Sequence, residues 1–571
     1  MKRILPALSL FCLLLTSAQA ADWINRFDIT PKKTAVFKAS PIDIPESEKY
    51  EESSVEDYNS AVALNNQAID AMNSSDFKKA ASLLKSAVST SPASTGFRKN
   101  YIIALNKAGE TKEFLKQANI QLSLDPEDHQ TAYSIGLVYL NKYKDYETAA
   151  NYFSYAIKLE PNESNYVLAL VSALENTGKY SDSVFEILQK NINQFNDSYP
   201  YYLLGLKYLD KELYSKAIKT LNTAKQYDKK GYAFHAYDRA AFYGGYMKGL
   251  EPTIKETIDR FPNDQNISST KRIYSSIKDS SYKLTEHITL KISNASSLEQ
   301  LNFNVRPVRD FQEHQKVTLL SSELISKGKT INAEPKQNPD GSFVINVPKS
   351  MWSPELVLEL KYKIDLKALY GKYFDSDDRP DINTLRKDEK FSLDDSRLSK
   401  LADYVDNLEL EDSERFDSFA ELYAAKASTA IAKGLHYQEN GIDNSVSWAL
   451  SNLDKCDCTE YSRLLAALCF KKGIPARLVT GFLIRSDFID KATSIGHEWC
   501  EIYVQSRGWV PFDATLQASM RRAYLKNLLN DQIFFEYPNN YENTRIGVDY
   551  IARNSDVTVA IENTYRVVKL K

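Results

Sequence analysis

Three residues in the second half of the chain, Cys458, His497 and Asp513, have the types and the order needed for nucleophilic catalysis. A histidine beside a cysteine takes the thiol proton, and an acid fixes the histidine's tautomer and stabilises its cation. Such a group attacks a carboxamide or peptide carbonyl and forms a thioester acyl-enzyme. The elements that carry these three residues decide whether they can meet.

The stretch after Cys458, TEYSRLLAALCFKK, has helical spacing, and Gly473 and Pro475 end it. Cys458 is therefore expected at the N-terminus of a helix. Free backbone N–H groups and the positive end of the helix dipole stabilise a thiolate there. The N–H of Cys458 itself is the expected first donor to an oxyanion.

Strand patterns surround the other two residues. ARLVTGFLI reads as a buried strand, and GHEWCEIYV and WVPFDAT are strands joined by the tight turn QSRG. His497 opens one strand of this hairpin and Asp513 closes the other, so the hairpin brings both to one end of the sheet. The loop 485–496 before His497 is expected to border the cleft as a specificity or gating element.

The other cysteines that follow the N-terminal apolar run, Cys456, Cys469 and Cys500, allow alternative interpretations of this region. Zinc could nominally take Cys456, Cys458, His497 and Cys500, but Cys-x-Cys is a short spacing and alternation separates His497 from Cys500. A Cys456–Cys458 disulfide would close a strained loop, although it could form reversibly and mask the nucleophile. Cys469 and Cys500 are expected to be buried apolar residues. We predict no metal and no cofactor.

Residues 411–517 resemble the transglutaminase-like superfamily of cysteine enzymes, which shares its core with papain-type proteases. The resemblance rests on CDCTEYSRLLAALCFKKGIPARLVTGF, HEWCEIYV and GWVPFDAT. Carried over by position, it implies Cys458 as the nucleophile, His497 as the base and Asp513 as the orienting acid. Cys456 departs from the family, whose members commonly have glycine there. Papain-like enzymes place an oxyanion side chain about six residues upstream, which makes Asn452 and the nearby Trp448 candidates here.

A repeat precedes this region. Pro92, Pro126 and Pro161 recur at intervals of about 34 residues, each after an apolar helical pattern, and small and large residues recur between them. This pattern resembles the tetratricopeptide repeat, with five or six units over 57–265. Such an all-α solenoid offers a concave surface for a protein partner or substrate.

The remaining boundaries follow from changes of period. Alternating segments over 266–370 predict a β-sandwich-like domain, after which 371–410 is a connector. An α+β transglutaminase-like catalytic domain is expected at 411–517. The tail at 518–571 is predicted to be a C-terminal β extension of one or two closing strands.

The N-terminus has the features of an export signal. Lys2 and Arg3 precede an apolar run that ends in the small residues Ala18 and Ala20, which predicts a signal peptide at 1–20. A polar linker is expected at 21–56. We expect an exported protein, periplasmic or secreted, with no membrane span. The near balance of 72 basic and 75 acidic residues gives no indication of a nucleic-acid partner.

Two functions of different class remain. The first is an exported cysteine enzyme acting on protein or peptide amide bonds, by hydrolysis or transamidation, with the repeats docking a protein substrate or partner. The second is a non-catalytic envelope scaffold in which the repeats carry the function. Three groups in the order Cys, His, Asp favour the enzyme, because a binding protein has no physical need for all of them.

Overall fold

The computed structural model describes residues 23–30, 33–46, 50–371, 380–440, 444–505, 507–537, 545–553 and 555–570. The predicted signal peptide at 1–20 lies outside these residues. The chain forms two compact units. One comprises Pro31–Lys207 and Thr223–Tyr227, and the other comprises the residues up to Thr30 with Tyr208–Asn222 and Asp228–Lys571.

Thirteen α-helices occupy Val55–Ile277. They are α1 (Val55–Asn73), α2 (Phe77–Thr90), α3 (Thr95–Ala108), α4 (Thr111–Leu124), α5 (His129–Val138), α6 (Tyr146–Leu159), α7 (Ser164–Thr177), α8 (Ser181–Asn191), α9 (Ser198–Asp210), α10 (Tyr214–Tyr227), α11 (Tyr232–Gly244), α12 (Leu250–Arg260) and α13 (Ile267–Ile277). The predicted helical repeat region is confirmed.

Side-chain hydrogen bonds cap the starts of these helices, and small residues allow the helices to pack closely. The side chains of Ser54, Asp76 and Ser94 each accept a backbone N–H at the start of α1, α2 and α3. Gly136 in α5 faces the ring of Phe153 in α6, and a Cβ at position 136 would lie 2.6 Å from that ring. The small residue of the repeat therefore sets how closely paired helices approach.

The strand-rich region is a sandwich of two antiparallel sheets. Its first half supplies β1 (Ser280–Ile292), β2 (Leu298–Val305), β3 (Gln315–Ser326), β4 (Lys329–Asn332), β5 (Lys336–Gln337), β6 (Phe343–Asn346), β7 (Glu355–Leu366) and the short β8 (Leu369–Tyr370). The sheets have the orders β10-β16-β1-β7-β3-β4 and β15-β2-β6-β5, where β10 (Ala492–Thr493), β15 (Ile546–Ala552) and β16 (Val559–Lys569) come from much later in the chain. The sandwich is therefore discontinuous in sequence.

The candidate catalytic domain packs helices against a four-stranded sheet of order β12-β11-β9-β14. Its strands are β9 (Ala476–Leu483), β11 (His497–Val504), β12 (Gly508–Phe512) and β14 (Gln532–Glu536), and β13 (Asn527–Leu528) pairs with β8 instead. Its helices are α14 (Ile382–Leu385), α15 (Ser396–Asp406), α16 (Phe419–Gly434), α17 (Val446–Ala449), α18 (Cys458–Lys471) and α19 (Ala514–Met520). The predicted fold class, helical repeats followed by a sandwich and an α+β domain, is confirmed.

Three predicted segments have roles that differ from their description by sequence. The described residues of the predicted linker at 21–56 pack against other parts of the chain. Phe27 is fully buried in the catalytic core, and the Thr34 N–H donates a hydrogen bond to Asp182 of α8. The connector at 371–410 contains α15, whose apolar side chains belong to the same core. The extension at 518–571 supplies β14 to the catalytic sheet and β15 and β16 to the sandwich.

Candidate active site

Cys458 is the first residue of α18, as predicted. Asp457 caps the helix by accepting the Thr459 N–H at 3.0 Å, and Glu460 accepts the Asp457 N–H at 2.7 Å, which completes a capping box. Cys458 is partly exposed, whereas Cys456, Cys469 and Cys500 are buried. The thiol that a substrate can reach is therefore the one at the positive end of a helix.

Glu460 also ties down the segment before the nucleophile. Its carboxylate accepts hydrogen bonds from Asn440 Nδ2 at 3.1 Å and Asn444 Nδ2 at 3.0 Å, and its side chain is buried. Burial raises the pKa of Glu460, and the charge of Asp457 adds to this, while the three hydrogen bonds oppose it. One carboxyl group thus holds both the helix start and the preceding loop in place.

His497 opens β11 and lies opposite Gly481 of β9 in the sheet register. A Cβ at position 481 would lie 2.1 Å from the Ile533 carbonyl oxygen and 2.7 Å from the Trp499 ring. Glycine is therefore required there for β14 to approach β9 beside the histidine. The imidazole stacks near Trp499, with ring centroids 6.1 Å apart.

The hairpin brings His497 and Asp513 together as expected. His497 Nε2 lies 2.7 Å from Asp513 Oδ2, and the side chains are 5% and 1% exposed. Asp513 also caps α19, where its Oδ1 accepts the N–H groups of Thr515 and Leu516. Burial alone lowers the pKa of His497, but the charge of Asp513 and its hydrogen bond, with smaller contributions from Cys458, raise it to about 10.

The Cys458 side chain lies near enough to His497 to interact with it electrostatically and contributes to the raised pKa of the imidazole. Because Asp513 engages Nε2, Nδ1 is the ring nitrogen left for the thiol. Asp513 favours the tautomer and the cation that proton transfer from Cys458 requires. The three residues chosen from the sequence thus lie close together, with a direct contact between His497 and Asp513, and their catalytic roles stay predictions.

Gln532, at the start of β14, is a site residue that sequence reasoning missed. Its Nε2 donates to Asp513 Oδ2 at 3.2 Å, alongside the bond from His497. The neighbouring residue Asp531 also interacts with Asp513, and its Oδ2 accepts the Tyr524 O–H at 2.5 Å. Burial raises the pKa of Asp531 to about 7, with Asp513 adding to the rise. No motif marks these residues, since an amide or acid in an unassigned tail carries no spacing signal.

The structure gives more support to the Cys458 N–H as an oxyanion donor than to Asn452 or Trp448. The Cys458 N–H belongs to the first turn of α18, where N–H groups have no carbonyl of their own helix to bond. Asn452 donates its Nδ2 to the Trp448 carbonyl at 2.9 Å, and Trp448 packs at the edge of the core. These contacts give Asn452 and Trp448 no link to Cys458, and their assignment as donors stays a prediction.

Cys456 does not pair with the nucleophile. Its Sγ lies 3.4 Å from the Asn452 carbonyl oxygen, and burial raises its pKa to about 12. The four cysteines after residue 400 are free thiols. Across the described ranges no group of three or more His, Cys, Asp or Glu side chains is placed to hold a metal ion.

The loop at 485–496 is fixed to the sandwich at one edge. Its β10 pairs with β16 at Ala492 and Thr493, and Asp490 accepts a hydrogen bond from Arg566 at 2.7 Å. Near the nucleophile, burial and the charge of Cys458 raise the pKa of Tyr437, while Arg485 opposes the rise. Tyr437 is therefore near enough to both Cys458 and Arg485 to interact with them electrostatically. By contrast, Trp499 and Trp509 lie in an apolar cluster under the sheet.

No helix in the described part of the chain is both long enough and apolar enough to cross a membrane. The sequence matches no curated protein.

Several solved structures are similar in part. A candidate cysteine protease from Cytophaga hutchinsonii is 16% identical, with a TM-score of 0.35, and the match covers 52% of this chain and 92% of that one. PilF of Pseudomonas aeruginosa is 14% identical over 38% of this chain and 99% of its own, with a TM-score of 0.32. The tetratricopeptide protein YrrB is 17% identical over 33% and 97%, with a TM-score of 0.30. At these values the similarities carry no argument about activity.

A family model gives the firmer assignment. The transglutaminase-like superfamily matches residues 402–514, which begin within α15 and end at the first residue of α19. This range contains Cys458, His497 and Asp513 in the geometry described above. The chain therefore carries a transglutaminase-like domain at residues 402–514.

Proposed function

We propose that this protein is a cysteine enzyme that acts on protein or peptide amide bonds through a thioester at Cys458. The observations that support it are a partly exposed thiol at a helix N-terminus, close enough to His497 to influence its pKa, and the direct contact of His497 with the buried Asp513. The transglutaminase-like domain at 402–514 supports the same class of chemistry.

The proposed reaction follows from the positions of the protons. His497 Nδ1 takes the proton of the Cys458 thiol, and the thiolate forms a bond to the carbonyl carbon. The carbonyl electrons move to oxygen, which the Cys458 N–H stabilises. When the C–N bond breaks, the imidazolium gives its proton to the leaving nitrogen, and a thioester remains. Water or an amine then attacks the thioester, with His497 as the base, and restores the thiol.

The other regions suggest where the substrate comes from. Successive helices of the repeat region are the kind of element on which repeat proteins hold a partner, so we propose that this region docks a protein substrate or an envelope partner. Lys2, Arg3 and the small residues before position 21 support export to the periplasm or the medium. A protein substrate outside the cytoplasm fits both proposals.

Thiol reactivity tests the central claim without a known substrate. The reduced full-length chain is treated with iodoacetamide between pH 5 and 9, and peptide mapping gives the rate for each cysteine. Cys458 should react much faster than the others well below pH 8, and His497→Ala should abolish that advantage. If Cys456, Cys458, Cys469 and Cys500 all react slowly and alike, with no effect of His497, the protein is better described as a scaffold.

An activated ester tests the acyl step. p-Nitrophenyl acetate should give a burst of p-nitrophenol and an acetyl group on Cys458, and a primary amine added afterwards should compete with water for it. Cys458→Ala should lose the burst. Cys469→Ala removes a thiol that is buried in the core and should keep it. A burst that survives Cys458→Ala would refute the assignment of the nucleophile.

A further inference from the structure

Gln532 contacts the triad through a hydrogen bond to the carboxylate of Asp513. Two side chains donate to Asp513 Oδ2, namely His497 at 2.7 Å and Gln532 at 3.2 Å, while Oδ1 accepts the backbone N–H groups of Thr515 and Leu516. A carboxylate held at both oxygens cannot rotate freely about its Cβ–Cγ bond. The amide therefore helps to keep Oδ2 facing the imidazole.

A second hydrogen bond sets the orientation of the Gln532 amide. Its Oε1 accepts the Leu529 N–H at 3.3 Å, so the Nε2 end faces Asp513. The backbone is fixed as well, because the Gln532 carbonyl oxygen lies 2.7 Å from Nε2 of the buried His314 and Gln532 pairs with Leu483 of β9. Gln532 is 1% exposed. A side chain with this many constraints is built to present one N–H in one direction.

The sheet explains how this contact arises. The strand β9 lies between β11, which carries His497, and β14, which carries Gln532. The side chains of His497 and Gln532 both contact Asp513, which follows β12, and they come from the two strands that flank β9. The family match ends at residue 514, so the acid is held partly by a segment outside the matched domain.

We propose that Gln532 is a positioning residue for the triad, holding the Asp513 carboxylate so that it stabilises the His497 imidazolium. An amide suits this role because it donates an N–H without adding charge, whereas a carboxylate would repel Asp513 and a lysine would compete with His497 for it. No covalent bond of Gln532 forms or breaks during the proposed reaction. The proposal rests on the proposed cysteine chemistry.

The groups that titrate near Asp513 define the test. Besides His497 and Cys458, the carboxyl of Asp531 and the hydroxyl of Tyr524 interact with Asp513 electrostatically. These groups are common to wild type and variants, so the informative quantity is the ratio of variant to wild-type rates at each pH. The rate is that of iodoacetamide alkylation of Cys458 in the full-length chain.

Gln532→Met keeps the length of the side chain and removes the donor. We expect the Cys458 alkylation rate near pH 6 to fall about tenfold or more, because hydrogen bonds to charged groups contribute that much. Gln532→Glu can donate only while it is protonated, so its rate should approach wild type at acid pH and fall away as the new carboxyl ionises. A purely structural role would not make the ratio of variant to wild-type rate depend on pH in Gln532→Glu while leaving it independent of pH in Gln532→Met.

Gln517→Met is the matched control. Gln517 is also a buried amide, but its Nε2 donates to Thr429 Oγ1 at 3.2 Å and not to Asp513. It should keep the wild-type profile. A wild-type profile in folded Gln532→Met, or a Gln532→Glu ratio that does not change with pH, overturns the positioning role alone. A wild-type chain without His497-dependent reactivity overturns the proposed function and this role with it.

Discussion

The ring of Phe27 occupies the space that a side chain at Gly434 would need, with its Cδ1 atom 2.3 Å from the place of the missing Cβ. Phe27 lies near the N-terminus and Gly434 ends α16, so a residue far away in sequence completes the core of the candidate catalytic domain. The chain fits this aromatic side chain only because position 434 has none.

Shortening Phe27 should destabilise the catalytic core. We expect Phe27→Ala to cost about 3–5 kcal/mol, since it leaves a cavity in a fully buried site. Differential scanning calorimetry should show a lower midpoint for the transition of the unit that contains Phe27. Val36→Ala is the control, because Val36 is 67% exposed and should change little. Equal midpoints for the two variants would contradict the burial of Phe27.

The His497–Asp513 pair should make stability depend on pH in the alkaline direction. The pKa of His497 is raised to about 10 in the folded chain against about 6.5 in the unfolded chain. A raised pKa gives stability that is fully present below about pH 6.5 and is lost as pH rises toward 10. In a Cys458→Ala background, the Tm advantage of Asp513 over Asp513→Asn should therefore shrink between pH 6.5 and 10. An advantage that grows over this range would contradict the assignment.

Two arginine–carboxylate pairs of the sandwich should differ strongly in their contribution to stability. Arg545 and Glu286 are 7% and 0% exposed, whereas Arg566 and Asp490 are 51% and 63% exposed. Arg545→Ala leaves a buried charge without its partner and should cost about 3–5 kcal/mol. Arg566→Ala should cost less than about 1 kcal/mol. Urea unfolding followed by tryptophan fluorescence measures both, and similar midpoints would contradict the difference in burial.

Two glycines of the helical repeats provide a paired test of packing. Gly136→Ala places a Cβ 2.6 Å from the Phe153 ring, whereas Gly96→Ala meets nothing within 4 Å. The first should destabilise the repeats by about 1–3 kcal/mol through overpacking. The second should be neutral or stabilising by up to about 1 kcal/mol, since alanine favours the helix. Circular dichroism melting at 222 nm compares them, and a Gly136→Ala variant as stable as wild type would refute the close approach.

Local signals in the sequence predicted the parts of the site that depend on near neighbours. The helix beginning at Cys458 follows from its apolar spacing and from Gly473, whose φ of +72° ends it. The hairpin of β11 and β12 follows from two alternating segments and a short turn. These elements already place the cysteine, histidine and acid in the right order along the sheet.

Contacts between distant segments could not be predicted. Glu286 and Asn563 share a hydrogen bond across 277 residues, and neither strand carries a sign of the other. Gln532 has no motif, because its role depends on which strand lies beside β9. Phe27 lies in a segment whose polar composition is typical of a linker. In each case the information is in the tertiary partner and not in the local pattern.

The position of β16 between β1 and β10 has a consequence for how the chain must fold during synthesis. The ribosome makes β1 before the catalytic sequence, but the strand that covers its edge follows that sequence. Until then β1 exposes an open hydrogen-bonding edge with apolar residues such as Ile288 and Leu290, which invites association with other chains. Since long-range strand pairing is slow, the complete sandwich forms only after the catalytic sequence has been made. A chaperone that shields unpaired strands would therefore be most useful to this protein before β16 has been made.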